Sequence, residues 1–193
     1  QLLAAELRRS LRSPVIAVTG STGKTVVKEW LADILGLTVP VVRSPRSFNS
    51  QIGVPLSVLR LDDKYKLGIF EAGISKPGEM ENLQKVIDPD IGIITNIGDA
   101  HSENFQDQAM KAREKLKLFI NSSLVVYCRD NDLIHNLITG DPVMQSRMLI
   151  GWSLRNKEAE VFVKIKHQSE GSTSAEVIFK GKNYDFLIPF DDR

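Results

Sequence analysis

Short apolar runs alternate with helix-periodic stretches along most of the chain. Residues 14–18, 39–43, 67–72, 91–97 and 124–128 are runs with the length and β-branched content of buried strands. Between them, Val27, Trp30, Leu31, Ile34 and Leu35 fall at i, i+3, i+4, i+7 and i+8, which makes one apolar helical stripe, and Gly36 supplies its stop. Residues 79–87 and 106–120 fit further helices, and residues 1–13 carry Leu, Ala and Arg at helical spacing. Strands that are apolar throughout, rather than alternating, are covered on both faces. The pattern therefore predicts a parallel sheet whose C-terminal strand ends face a ligand crevice. Residues 44–55 are rich in Pro, Gly, Ser and Asn and read as a loop.

From about Met148 the texture changes. Residues 161–166, 175–180 and 184–188 alternate apolar and polar, with turn signals at Glu170-Gly171-Ser172 and Lys180-Gly181-Lys182-Asn183. This predicts a small antiparallel sheet with one wet face and a structural or docking role. The fold class is α/β: a mostly parallel sheet flanked by helices, with a small C-terminal antiparallel sheet. Residues 1–13 read as a linker helix from an N-terminal domain that is not part of the chain. Residues 14–193 read as one domain, with 148–193 as its antiparallel extension.

The first strand runs into Gly20-Ser21-Thr22-Gly23-Lys24-Thr25. Strand, glycine loop and helix in that order form a phosphate cradle: backbone N–H groups and the helix N-terminus attract phosphate oxygens, Lys24 adds charge, and the Thr25 hydroxyl suits Mg²⁺. The usual pattern has a further glycine where this chain has Val18, so the loop is a short form. Four more positions fall at strand ends or in the next helix, where a nucleotide enzyme would use them: Asn49, Glu71, His101 and Lys115. Ala112, Leu118 and Phe119 flank Lys115 at helical spacing, which places its amine on an apolar face, where desolvation lowers its pKa.

Bulk properties narrow the picture. With 193 residues, 42% of them hydrophobic, the chain can bury one substantial core. A formal charge of +1, with Arg8-Arg9 and Lys115/Lys117 as the main basic clusters, gives no case for nucleic acid. The single cysteine, Cys128, excludes an internal disulfide and a cysteine zinc site and suits the reducing cytoplasm. No run has the length of a membrane span, and residues 1–13 lack a signal-peptide core. Opening in mid-helix without methionine, the chain reads as a piece of something longer. His135, His167 and the two tryptophans show no spacing that demands chemistry, and Trp30 reads as core.

Five segments together resemble the Mur ligases, the ATP-dependent amino-acid and dipeptide adding enzymes of peptidoglycan synthesis, in their central ATP-binding domain. They are the loop from Thr19 to Thr25, Asn49-Ser50-Gln51-Ile52-Gly53-Val54-Pro55, Glu71-Ala72-Gly73, the stretch from Asn96 to His101, and Lys115, fourteen positions after His101. Thr22 stands where the family often has asparagine. Cys128 stands where an asparagine is usual, while Asp130 keeps the family's aspartate. Residues 49–56 and 100–105 look most like the members that add D-alanyl-D-alanine to UDP-N-acetylmuramoyl-tripeptide, and residues 68–75 and 113–119 look like a form fused to an alanine racemase.

The resemblance implies a reaction in which ATP phosphorylates the tripeptide carboxylate and the dipeptide amine displaces phosphate. It implies ATP bound at Gly20, Ser21, Thr22, Gly23, Lys24 and Thr25. It also implies two Mg²⁺ sites drawing on Thr25, Glu71, His101 and Lys115, catalytic roles for Lys24, Asn49, His101 and Lys115, and carbamylation of Lys115. The implied partners are the UDP-linked tripeptide, D-alanyl-D-alanine and the family's flanking domains, with no nucleic acid and no membrane. Lacking those domains, the chain is expected to hold nucleotide weakly and not to complete the ligation alone. Two other readings remain: a folylpolyglutamate synthase-like amide ligase, and a nucleotide-regulated binding module, against which stands the lack of an Asn-Lys-x-Asp guanine motif.

Overall fold

Among the described residues nine strands form one sheet, with the second, third, first, fourth, fifth, sixth, seventh, eighth and ninth in chain order lying side by side in that sequence. The computed structural model describes residues 1–98 and 104–189. The first six strands, β1 (Val15–Thr19), β2 (Val41–Arg43), β3 (Leu67–Glu71), β4 (Ile91–Ile94), β5 (Leu124–Cys128) and β6 (Met148–Ser153), pair in parallel. The strand order reverses at β1, between β3 and β4, so the crevice for a ligand opens beyond their C-terminal ends.

Side chains of β1 alternate between two cores. Val15 and Ala17 join a large core shared with α1 (Leu2–Ser10), α3 (Gly53–Val58), α4 (Glu79–Ile87), α5 (Gln108–Leu116), α6 (Asp132–Gly140) and α7 (Pro142–Gln145). Ile16 and Val18 join a smaller one covered by α2 (Lys24–Leu35). Because both faces are covered, all five residues of β1 are buried, as are all five of β3. Helix starts follow local chemistry: Asp107, Asn131 and Asp141 cap α5, α6 and α7 by accepting N–H groups of the first turn, each cap contributing about 1 kcal/mol.

Helix α1 is docked on this body. Arg8 is buried and donates to the Ile87 and Asp88 carbonyls, and it pairs with Asp90 at 2.8 Å. The same Asp90 oxygen accepts the Val15 N–H, so the helix is tied to the entry of β1.

Several expectations are corrected. The stripe on α2 is narrower than its periodicity implies: Val27, Leu31 and Leu35 pack on the sheet, while Trp30 is 46% and Ile34 63% exposed, because a single helix over β1 and β3 presents only a narrow arc to them. The expected loop at 44–55 ends earlier, since Gly53 to Pro55 open α3, where a proline in the first turn gives up no helical bond. The helix expected over 106–120 is α5 followed by a short 3-10 turn at Lys117–Phe119.

The expected C-terminal antiparallel extension is present as β7 (Val161–Ser169), β8 (Ser172–Phe179) and β9 (Lys182–Ile188), and it continues the same sheet. Strand β6 is still parallel, and β7 joins it in parallel only at Trp152↔Val161 and Ser153↔Phe162, so the hairpins run on past the C-terminal edge of the sheet. Strand β9 is exposed on both faces rather than one, because it lies at the sheet's edge beyond the helical layer.

Candidate functional site

Three loops at the ends of β1, β3 and β4 converge on one cleft. Leaving β1, the chain turns at Gly20 and Gly23, with φ +142° and +77°, a backbone that side chains disfavour. Gly20 has a second reason to be glycine: a Cβ there would stand 2.0 Å from Thr95 Oγ1. The loop is laced to the segment after β4. The N–H groups of Ser21 and Thr22 donate to the carbonyl and side-chain oxygens of Asn96, each at 2.9 Å, and Asn96 Nδ2 donates to Thr22 Oγ1 at 2.6 Å. Ser21 Oγ accepts from the Gly98 N–H at 3.0 Å. These bonds fix the loop. The N–H groups of Gly23, Lys24 and Thr25, which open α2 without acceptors inside it, are the ones offered to an anion.

Lys24 curls over the loop, its Nζ donating to the Ser21 carbonyl at 3.0 Å. Burial lowers its pKa, and the charge of Glu71 acts in the opposite direction.

Glu71, the last residue of β3, is 1% exposed. Its two oxygens are held by different elements: Thr25 Oγ1 donates to Oε2 and Asn49 Nδ2 to Oε1, both at 2.7 Å. Its N–H donates to Ser44 Oγ at 3.2 Å. Asn49 is fixed in turn, because its carbonyl accepts the Gly73 N–H at 2.8 Å, and a Cβ on Gly73 would come within 3.0 Å of Asn49 Cγ. A carboxylate with neutral donors keeps further lone pairs for a cation. The oxygens of Thr25, Asn49 and Glu71 are the hard donors that fit Mg²⁺.

Helix α5 turns Lys111, Glu114 and Lys115 inward, and all three are buried. Lys111 donates to the Gly98 carbonyl, tying α5 to the segment that holds the phosphate loop. Glu114 accepts the Gly78 N–H at 2.7 Å and pairs with Lys117 at 2.8 Å. Burial, with the charges of Lys24 and Lys111, pushes the Lys115 amine down to about 7. Near neutral pH a large share of it is therefore the nucleophilic free amine. Lys24, Asn49, Gly73 and Lys115 share a cleft of ≈ 320 Å³ with Gln51, Ile74 and Glu79.

The structure thus gathers Lys24, Thr25, Asn49, Glu71 and Lys115, with Gly20 to Gly23 shaping the loop. His101 lies outside the described residues. Sequence reasoning gave no separate role to Ser44 and Asn96, polar residues just beyond strand ends, which was the available signal. It also passed over Lys28 and Lys111, which carried none, since a lysine within a helix reads as solvated. His135, which showed no spacing that demands chemistry, stacks on Tyr127 with ring centroids 5.9 Å apart. Asp130 accepts from Ser153 Oγ and from the Leu154 N–H and so fixes the turn after β6.

Residues 18–191 match the Mur ligase middle domain. The chain belongs to the Mur ligase family. It is 32% identical over 190 residues to the UDP-N-acetylmuramoyl-tripeptide–D-alanyl-D-alanine ligase of Borreliella burgdorferi, across 97% of this chain and 40% of that protein. The MurF ligase of Thermotoga maritima, solved in complex with ADP, superposes with a TM-score of 0.83 at 26% identity, over 96% of this chain and 43% of that one. MurF of Acinetobacter baumannii superposes at 0.87 with 24% identity, over 97% and 41%, and shows the shared fold. A folylpolyglutamate synthase from L. casei shares the fold more distantly, at 12% identity and a TM-score of 0.72 over 98% and 56% of the two chains. The chain thus spans about two fifths of the Mur ligases compared. Among the described residues no helix is long and apolar enough to cross a membrane.

Proposed function

We propose that the chain is the ATP-binding middle domain of a ligase that joins D-alanyl-D-alanine to UDP-N-acetylmuramoyl-tripeptide. One arrangement carries the reading: Glu71 held between Thr25 and Asn49, at the mouth of a glycine loop whose lysine shares a cleft with Lys115. The likeness to the Borreliella burgdorferi enzyme supports the choice of substrates.

In this reading the tripeptide carboxylate attacks the γ-phosphorus of ATP and ADP leaves. The dipeptide amine then attacks the acyl carbon, and phosphate departs. Two anions must approach each other in the first step, so the site needs concentrated positive charge. Lys24 and the N-terminus of α2 supply part of it. Thr25, Glu71 and Asn49 would hold Mg²⁺, which contributes charge neutralisation at the phosphates, and His101 would serve a second Mg²⁺. The free amine of Lys115 would add to CO₂ and release one proton to solvent, leaving a carbamate that faces the same cleft. In this reading the use of ATP and a UDP-linked substrate supports a cytoplasmic location.

The deciding experiment is phosphate release by the full-length protein with the UDP-linked tripeptide, with and without D-alanyl-D-alanine. Dependence on both is expected, and indifference to the dipeptide would sink the reading. Folate-dependent ATP turnover would favour the folylpolyglutamate synthase-like alternative instead. Residues 68–75 and 113–119 further support a form fused to an alanine racemase, which predicts alanine racemisation by the full-length protein.

A further inference from the structure

Lys28 lies one turn beyond Thr25 on α2 and is 0% exposed. The neighbouring inward positions, Val27, Leu31, Ala32 and Leu35, are apolar, so an ammonium here is out of place unless its partners compensate for lost water. It has three. Its Nζ donates to the carbonyl of Ser44 at 2.9 Å and to that of Arg46, and it pairs with Glu29 at 2.8 Å.

Both carbonyls belong to the segment between β2 and α3. Arg46 there takes φ +48°, a backbone that a side chain disfavours, so the segment needs an external hold. That segment supplies two of the groups around Glu71: Ser44, whose Oγ accepts the Glu71 N–H, and Asn49, which donates to Oε1. The opposite oxygen is held by Thr25, on the same helix as Lys28. A ring of contacts therefore closes from α2 through Lys28 to residues 44–49, on to Glu71, and back through Thr25 to α2.

We propose that Lys28 is a positioning residue for Mg²⁺-dependent nucleotide binding: it holds residues 44–49 on α2 and so sets the approach of Asn49 to Glu71 opposite Thr25. The inference rests on the reading of Thr25 and Glu71 as the metal and phosphate site. A prop for the fold would lower the melting temperature and leave ligand discrimination alone. A prop for Asn49 acts on the Mg²⁺-dependent part of binding.

The test is calorimetric titration of the full-length protein with ADP, with and without Mg²⁺, alongside thermal melting, for the wild type, Lys28→Met and Lys28→Gln. Lys28→Met should weaken ADP binding about tenfold with Mg²⁺ and by less than about twofold without it, and Lys28→Gln, which keeps a donor, should show the same ordering at smaller amplitude. Adding Asn49→Ala to Lys28→Met should cost little more, since both act on one contact. Variants that are folded and bind Mg²⁺ and ADP like the wild type would overturn the proposal. Equal losses with and without Mg²⁺ would do the same, as would unfolding of both variants, which would make Lys28 a prop of the core. A wild type without Mg²⁺-dependent ADP binding would overturn the functional reading and this one with it.

Discussion

Thr25 Oγ1 donates to Glu71 Oε2 at 2.7 Å, which joins the first turn of α2 to the last residue of β3. Strands β1 and β3 pair in parallel with Val18 opposite Glu71, so the register brings this carboxylate level with the start of the phosphate loop. Glu71→Ala removes the acceptor for both Thr25 and Asn49. Turnover by the full-length protein should fall by about 10² or more, and Lys24→Ala should lose a similar share, with far-ultraviolet circular dichroism unchanged.

Gly20 and Gly23 separate two reasons for being glycine. At Gly23 a Cβ meets nothing within 4 Å, so Gly23→Ala costs only the left-handed backbone, about 1–2 kcal/mol. At Gly20 the Cβ collides with Thr95 Oγ1, and Gly20→Ala should cost about 1–3 kcal/mol beyond the backbone strain. Urea denaturation of the two variants checks the order.

Lys115 ties stability to pH. Its folded pKa of about 7 lies below the ordinary 10.5, so between these values the unfolded chain binds more protons and stability rises with pH. Burial of the charged amine penalises the fold in full below pH 7, and the penalty fades on approaching pH 10.5. Lys115→Met should therefore be more stable than the parent at about pH 6, by as much as several kcal/mol, and the gap should shrink by about pH 9. Denaturant midpoints at the two pH values measure it.

A carbamylated Lys115 makes a different prediction. Lys115→Ala should lose most turnover in the full-length protein and regain part of it on addition of short-chain carboxylates, which can enter the space left by the side chain. Failure of rescue in a variant that still binds ADP would leave Lys115 as an ordinary buried amine.

Trp30 and Phe119 test where the core lies. Phe119 is fully buried, and a Cβ on Gly92 would come within 2.3 Å of its ring. Phe119→Ala should cost about 3–5 kcal/mol, whereas Trp30→Ser, at a half-exposed position, should cost less than about 1 kcal/mol. Thermal melting distinguishes them.

Part of this was legible in the chain. The runs at 67–72 and 91–97 announced strands covered on both faces, and the spacing of Gly20, Gly23, Lys24 and Thr25 announced a strand, a glycine turn and a helix in succession. Lys115 on an apolar helical face already pointed to a depressed pKa. Trp30 misled because helical period marks a stripe without saying how wide a neighbour covers it. The change of texture from Met148 does not give strand direction, and β6 still pairs in parallel with β5 before the antiparallel hairpins begin.

The sequence by itself determined the features that act between residues near each other in the chain: strand and helix periods, caps, and the glycines that let a loop turn. Only the tertiary structure decided that Thr25 and Asn49 share the oxygens of Glu71, that Asn96 laces the phosphate loop, and that Lys28 is buried against two carbonyls. Those contacts follow from strand register and from which helix covers which face. They join residues whose local surroundings carry no trace of the partner.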